Sequence, residues 1–203
     1  MFPRELEFYQ RRANVFCERV KDEIYSDRSS LRCEYAATKD PVEFKKRLEL
    51  TYKTIVPGEK WGENWESAWF HVTGEIPERF VGKEIALLVN VGGESLIFDA
   101  EGCPVYGLTG ASTFSDAHAK NRFLLKGSHS AGEPVDFWIE GAANELFGLI
   151  FDKDKELRRK HPQGRFTGTL VDCSLAVFER EVWSLHLDLE VLLSMIDGLP
   201  END

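Results

Sequence analysis

Residues Trp61–Gly110 read WGENWESAWFHVTGEIPERFVGKEIALLVNVGGESLIFDAEGCPVYGLTG and hold three of the five tryptophans of the chain. From Ser67 to Thr73 the residues alternate, Ala68, Phe70 and Val72 to one side, Trp69, His71 and Thr73 to the other. The same period of two returns at Ile85, Leu87, Val89 and Val91 and again at Leu96 and Phe98, and strict alternation marks half-buried strands. Gly92-Gly93 between the two runs suits a tight hairpin, because glycine reaches positive φ without steric cost. Asp99-Ala100-Glu101-Gly102 has the composition of a type I turn closing on glycine, and Pro104 begins the next extended piece. The stretch therefore predicts an antiparallel meander.

Working outward, Phe2, Leu6, Tyr9, Ala13, Phe16, Val20 and Ile24 follow at helical spacing. A helix of that span is roughly 35 Å long. The segment 26–39 shows no clear period. Asp40-Pro41-Val42-Glu43 resembles a capping box with proline at the first helical position, which predicts a short helix over 41–48. Leu50–Val56 alternates like a strand. Beyond Gly110, residues 111–122 have no period and predict a long loop. Strands are predicted at Arg122–Leu125, through Val135, Phe137 and Ile139, at the apolar run Leu146–Phe151, and over Val171–Val177. The charged segment 152–165 predicts a solvated loop; Asp152 and Asp154 there are offset by Lys153, Lys155, Arg158 and Arg159, against a calcium site.

The last predicted element is a helix over 180–197, stopped by Gly198 and Pro200. Val182, Leu185, Leu189, Leu192, Ile196 and Leu199 form one apolar stripe, and Trp183, Leu187, Val191, Leu193 and Met195 lie off it. A helix apolar around most of its circumference needs cover on two sides.

These elements predict a mainly β fold: a jelly-roll-like antiparallel sandwich of the galactose-binding-domain type with an α-helix at each end. The domain reading is a helical segment 1–48 packing on the sandwich, the sandwich over 49–179, and a C-terminal helix over 180–203. A net charge of −10 opposes nucleic acid or an anionic membrane as partner. The N-terminus is too polar for a signal peptide, so a cytoplasmic location is expected. The four cysteines are scattered without zinc spacing and read as free thiols.

Four runs carry a family resemblance: PGEKWGENWESAWFHVTGEIP at 57–77, GGESLIFDAEGCPVYGLTG at 92–110, EGAANELFG at 140–148 and EVWSLHLDLEVLL at 181–193. Together the chain resembles the N-terminal region of cytosolic-type α-mannosidases of glycoside hydrolase family 38. The resemblance implies a non-catalytic sandwich domain ahead of a zinc-dependent retaining catalytic domain that this sequence does not contain. It implies no catalytic residue, no metal ligand and no cofactor in this chain, with zinc held in the catalytic domain. That domain of the same polypeptide is the expected partner, together with mannose-containing oligosaccharide and a possible second copy of the chain.

His186-Leu187-Asp188 spells HxD, but residues two apart on a helix point about 200° from each other and cannot grip one ion unaided. His186 is read instead as the polar edge of a packing helix. An independent glycosidase site needs two carboxylates flanking a sugar; Glu63, Glu66, Glu94 and Asp99 lie near aromatics without converging. The alternative function is a stand-alone carbohydrate-binding module, in which exposed Trp61 and Trp65 stack on pyranose faces. Its binding residues would be Trp61, Trp65, Glu63, Asp99 and Asn144. Asn144 is also suited to fixing a bend before the next strand, and Trp69 and Trp138 are expected to face the terminal helices.

Overall fold

A computed structural model of the chain describes residues 3–63, 65–99, 101–109, 119–144 and 168–197. The predicted strand 146–151, the charged loop 152–165, most of the loop after Gly110 and the stop after 197 lie outside the described residues.

In order, the elements are α1 (Pro3–Asp22), β1 (Tyr25–Ser30), β2 (Arg32–Thr38), a 3-10 helix (Phe44–Glu49), β3 (Lys53–Ile55), β4 (Ser67–Glu75) and a second 3-10 turn (Glu78–Phe80). They continue with β5 (Ile85–Asn90), β6 (Glu94–Phe98), β7 (Pro104–Leu108), β8 (Arg122–Leu124), β9 (Pro134–Ala142), β10 (Asp172–Phe178) and α2 (Arg180–Asp197). One sheet has the strand order β1-β10-β5-β8, the other β3-β2-β4-β9-β6-β7. This is the antiparallel jelly-roll sandwich with a helix at each end. The sheet begins earlier than position 49, since β1 and β2 occupy most of the segment that had no readable period.

The chain divides into two compact units, Met1–Arg28 with Ala176–Asp203, and Ser29–Leu175. In the larger unit, β4 is the centre of the six-stranded sheet. It pairs with β2 (Tyr35↔Phe70) on one side and with β9 (Phe70↔Ile139) on the other. Phe70, Val72, Ile97 and Ile139 are fully buried, and burying each such side chain stabilises by about 1.5–3 kcal/mol.

Gly92-Gly93 is not a hairpin. β5 and β6 belong to different sheets, so the pair carries the chain from one layer to the other. A Cβ on Gly92, at φ +75°, would lie 2.3 Å from the Thr169 carbonyl oxygen, and one on Gly93 would lie 2.0 Å from that of Ala142. Glycine is required here by close backbone approach, a demand that looks the same in sequence as a turn. The facing of β6 is also inverted: Ser95 and Ile97 are buried while Leu96 is 40% exposed. The β6–β7 turn does form as predicted, with Asp99 N–H donating to the Cys103 carbonyl at 3.0 Å and Gly102 N–H to the Asp99 carbonyl at 3.2 Å.

The outer face of the six-stranded sheet is covered by residues 42–52, which corrects the expectation that Trp69 and Trp138 face the terminal helices. Trp69 is 2% exposed and its indole N–H donates to the Val42 carbonyl at 2.7 Å. Phe44 lies edge-on to Trp69 at 5.6 Å and stacked on Phe98 at 5.5 Å. The Arg47 guanidinium lies 3.5 Å from the centre of the Phe44 ring and 4.5 Å from that of Trp138. The Tyr52 hydroxyl donates to the Arg47 carbonyl at 2.9 Å, and its ring meets the edge of Trp138 at 5.7 Å. The predicted capping box does not form: Glu43 makes no side-chain cap bond, and the helix is 3-10 over Phe44–Glu49. Aromatic cover, rather than helix capping, fixes this segment.

In the smaller unit, α1 and α2 pack on each other. The buried line of α1 is Cys17 and Val20, continued by Ile24, while the predicted stripe members Tyr9 and Phe16 are 58% and 52% exposed. On α2 the buried residue is His186 at 5%, and Leu185, Leu192 and Ile196 of the predicted stripe are exposed. His186 is therefore not at a polar edge. It lies within the packed face, its Nδ1 3.4 Å from Cys17 Sγ and its Nε2 3.5 Å from Glu190 Oε1.

Candidate functional site

The loop entering β4 builds one end of the larger unit. Trp61 opens it and is buried, 4% exposed, its indole N–H donating to the Val91 carbonyl at 2.7 Å and its ring edge-on to Phe70 at 5.2 Å. The expectation of an exposed Trp61 ring is thus corrected: a large aromatic that finds both an apolar wall and a buried acceptor belongs to the core.

Trp65 behaves differently. It is 61% exposed and, among the described residues, is the one non-glycine with positive φ, at 71°. Such a conformation costs roughly 1–2 kcal/mol and persists only where the surroundings impose it. Here Trp65 N–H donates to the Ala143 carbonyl and Ala143 N–H to the Glu66 carbonyl, both at 2.8 Å, prolonging the β4–β9 ladder past Ser67. The Glu66 carboxylate accepts the Glu63 N–H at 2.8 Å, and Glu63 pairs with Lys60 at 2.8 Å. The backbone is clamped on both sides of Trp65 and the ring is turned out to water.

Asn144 sits beside this clamp. Its N–H donates to the Ala142 carbonyl at 2.9 Å, fixing the bend. Its side-chain amide donates to Glu94 at 3.1 Å and accepts the Glu94 N–H at 3.4 Å. Glu94 in turn borders a cavity of about 550 Å³ that also takes in Ser95, Lys120 and Glu140. Glu140 lies opposite Trp69 on β4 and Leu96 on β6, and burial pushes its carboxyl above the usual carboxylate range.

Of the five residues singled out in the sequence, the structure brings Glu63, Trp65 and Asn144 to one end. Asp99 lies at the other end of β6, roughly 16 Å from Glu94 by strand length, where its carboxylate accepts the Cys103 N–H at 2.7 Å to close the β6–β7 turn. Glu140 carried no sequence signal of its own, because only the register with Trp69 and Leu96 buries it. An exposed indole beside an amide–carboxylate pair can stack on a pyranose face and bond its hydroxyls.

One other grouping has the residue types of chemistry without its setting. Cys17, His186 and Glu190 stand in relay order, but burial pushes the Cys17 thiol up and leaves the residue 4% exposed, both of which disfavour a reactive thiolate. Among the described residues no group of three His, Cys, Asp or Glu side chains is placed to hold a metal ion. No described helix is long and apolar enough to cross a membrane.

Comparison with known proteins places this architecture. Residues 30–163 match the family model described as alpha-mannosidase, jelly roll domain, of the Ams1-like group. The chain is similar to alpha-mannosidase 2C1 of Mus musculus, 30% identical over 185 residues, covering 90% of this chain and 17% of that protein. It is also similar to alpha-mannosidase G of Dictyostelium discoideum, 27% identical over 188 residues, covering 90% of this chain and 17% of that protein. Among solved structures, the β-glucuronidase of Ruminococcus gnavus aligns at TM-score 0.41 and 10% identity over 74% of this chain and 28% of that one, too weak a likeness to argue from. The sequence given thus spans about a sixth of the length of these mannosidases. On the match over 30–163, the chain belongs to the Ams1-like alpha-mannosidase jelly roll domain family.

Proposed function

We propose that this chain is the non-catalytic N-terminal domain of a zinc-dependent retaining α-mannosidase of glycoside hydrolase family 38, and that it serves assembly of the enzyme and contact with mannose-containing oligosaccharides. The observation that carries the reading is the outer face of α2. Leu185, Val191, Leu192, Met195 and Ile196 are 38–62% exposed, and a contiguous apolar set of this kind marks an interaction surface. On α1, Phe8, Tyr9, Val15 and Phe16 are exposed as well. The occupant that suits both faces is the remaining polypeptide of the mannosidase, since the relatives extend well beyond the aligned part. A second copy of the chain is the competing cover, and sedimentation of the isolated chain separates the two. The Trp65 end supplies the sugar contact in this reading. In this reading zinc belongs to the catalytic domain. The cytoplasmic location is supported by four free cysteines, three of them buried as thiols.

The test is direct. The purified chain is assayed on an aryl α-mannoside with and without added zinc, beside the in-frame parent polypeptide. Turnover by the parent and none by the chain is expected; turnover by the chain alone would overturn the proposal. Titrating mannose against the tryptophan fluorescence of the chain tests the alternative of a free-standing carbohydrate-binding module, which the exposed Trp65 favours. A saturable change lost in Trp65→Ala would support that alternative.

A further inference from the structure

Residues paired directly in an antiparallel sheet share a face, and so do residues two apart along one strand. On the outer face of the six-stranded sheet this sets two rows side by side. One runs Ser67, Ala142, Glu94; the next runs Trp69, Glu140, Leu96, Gly107. Side chains are short at Ser67 and Ala142 and absent at Gly107, and the face is hollowed there into the cavity of about 550 Å³ that Glu94 borders. That volume lies within the roughly 300–1,000 Å³ typical of small-ligand sites.

Two residues of the second row are not accounted for by packing. Glu140 is half-buried and lines the cavity. Burial raises its carboxyl, and among the described residues no hydrogen bond or ion pair compensates. Its oxygens are not sealed off, so a donor entering the cavity can reach them. Gly107 is the other. It stands inside β7, where glycine weakens a strand. Its φ is not positive, and a Cβ there would meet only Leu96 Cδ2, at an ordinary 3.6 Å. The irregularity of the β6–β7 pairing falls between Ile97 and Phe98, not at Leu96↔Gly107. Neither a turn, a bulge nor backbone crowding therefore requires glycine, in contrast to Gly92 and Gly93, and a bare strand position facing a cavity points to close approach by a ligand.

The lining also indicates the kind of ligand. Glu94 and Glu140 together repel an anion, and Lys120, whose Nζ lies 4.2 Å from the centre of the Tyr106 ring, opposes a second cation. One Glu94 oxygen is already held by the Asn144 amide at 3.1 Å, which leaves Glu140 as the open acceptor. Leu96, 40% exposed, and Pro41 supply apolar wall. A neutral ring with hydroxyl donors at its edge and C–H groups on its face meets all of these demands.

We propose that this cavity is a subsite for one neutral pyranose, with Glu140 accepting ring hydroxyls, Leu96 against the C–H face and the ring edge lying over Gly107. It gives the oligosaccharide contact proposed above a second point besides Trp65, and it rests on that reading for the choice of a mannoside.

The test is amide NMR of the full 203-residue chain titrated with methyl α-mannoside, methyl α-glucoside, mannuronate and mannosamine. Methyl α-mannoside is expected to give saturable shifts at residues 94–96, 107–109 and 140–142, with a dissociation constant of about 1 mM, usual for a ligand of this size. Mannuronate and mannosamine are expected to bind at least about threefold more weakly. Glu140→Gln should weaken binding about tenfold or more, the worth of hydrogen bonds to a charged group. Gly107→Val should abolish it while the fold, read by far-ultraviolet circular dichroism, is kept, since a β-branched residue suits a strand. Binding of the glucoside in place of the mannoside would support the pyranose subsite and count against the mannosidase reading. No shift at these residues with either neutral sugar at about 50 mM, where a millimolar site is saturated, would overturn the proposal, even if the Trp65 indole N–H responds. So would binding of the anionic or the cationic sugar as tight as the neutral one, or unchanged affinity in folded Glu140→Gln and Gly107→Val variants.

Discussion

Three tryptophans within nine positions have three different surroundings, and replacing each by alanine separates them. Trp69 is 2% exposed, touches Phe44 and Phe98, and donates its indole N–H to Val42. Truncating a buried aromatic costs about 3–5 kcal/mol, and leaving the Val42 carbonyl without its donor adds about 1 kcal/mol. For Trp69→Ala the sum is about 4–6 kcal/mol, a large share of the roughly 5–15 kcal/mol that holds a domain together. At a urea dependence of about 2.5 kcal/mol/M, the unfolding midpoint falls by roughly 2 M. Trp61→Ala, which loses a bond to Val91 and the packing on Phe70, falls by a similar amount. Trp65→Ala removes an exposed ring and moves the midpoint by less than about 0.3 M, as surface substitutions do. Urea titrations followed by far-ultraviolet circular dichroism give all three values. A Trp65→Ala shift as large as that of Trp69→Ala would refute the assignment of core and surface.

Further predictions concern single groups. Gly92→Ala places a Cβ against the Thr169 carbonyl at positive φ and is expected to lose about 2 kcal/mol or more in the same titration. Glu140 has its carboxyl raised by burial, so its contribution favours folding below the unfolded value near 4.5 and is lost as pH rises through the folded value. Glu140→Gln should therefore flatten the decline in stability from pH 4.5 towards neutrality, read from melting temperature against pH. Tyr52 is pushed up to about 12, by burial first and against the opposing pull of Arg47. An ultraviolet titration should thus show a late tyrosine ionisation near pH 12, and stability should fall as pH rises through that range. Tyr52→Phe should abolish the late step.

The elements with a single dominant period were legible. The span of α2 and the alternation of β4 follow from residue spacing, and the β6–β7 turn follows from Asp99 and Gly102. Facing and pairing were not. α1 and α2 carry apolar residues on more than one side, so spacing cannot say which side is buried, and the structure buries the line through Cys17 and His186 instead of that through Phe16 and Leu192. Gly92-Gly93 reads as a hairpin because glycine serves a tight turn and a close approach equally well; only the presence of Thr169 and Ala142 distinguishes them. β1 and β2 lack periodicity because their strand character comes from their neighbours, as in the pairing of Tyr35 with Phe70. At the candidate site, Trp65 and Asn144 were visible as residue types in polar surroundings. Trp61 was misread because WGENW gives no hint that the Val91 carbonyl awaits one of its two indoles.

On the proposed function, the outer face of α2 is covered by further polypeptide. Met195 reports on it directly, being 62% exposed on that face and one of only two methionines in the chain. Hydroxyl-radical footprinting of Met195 in the isolated chain and in the longer polypeptide proposed to carry it is the decisive comparison. Ready oxidation in the isolated chain and strong protection in the full polypeptide are predicted; equal reactivity in both would contradict the account.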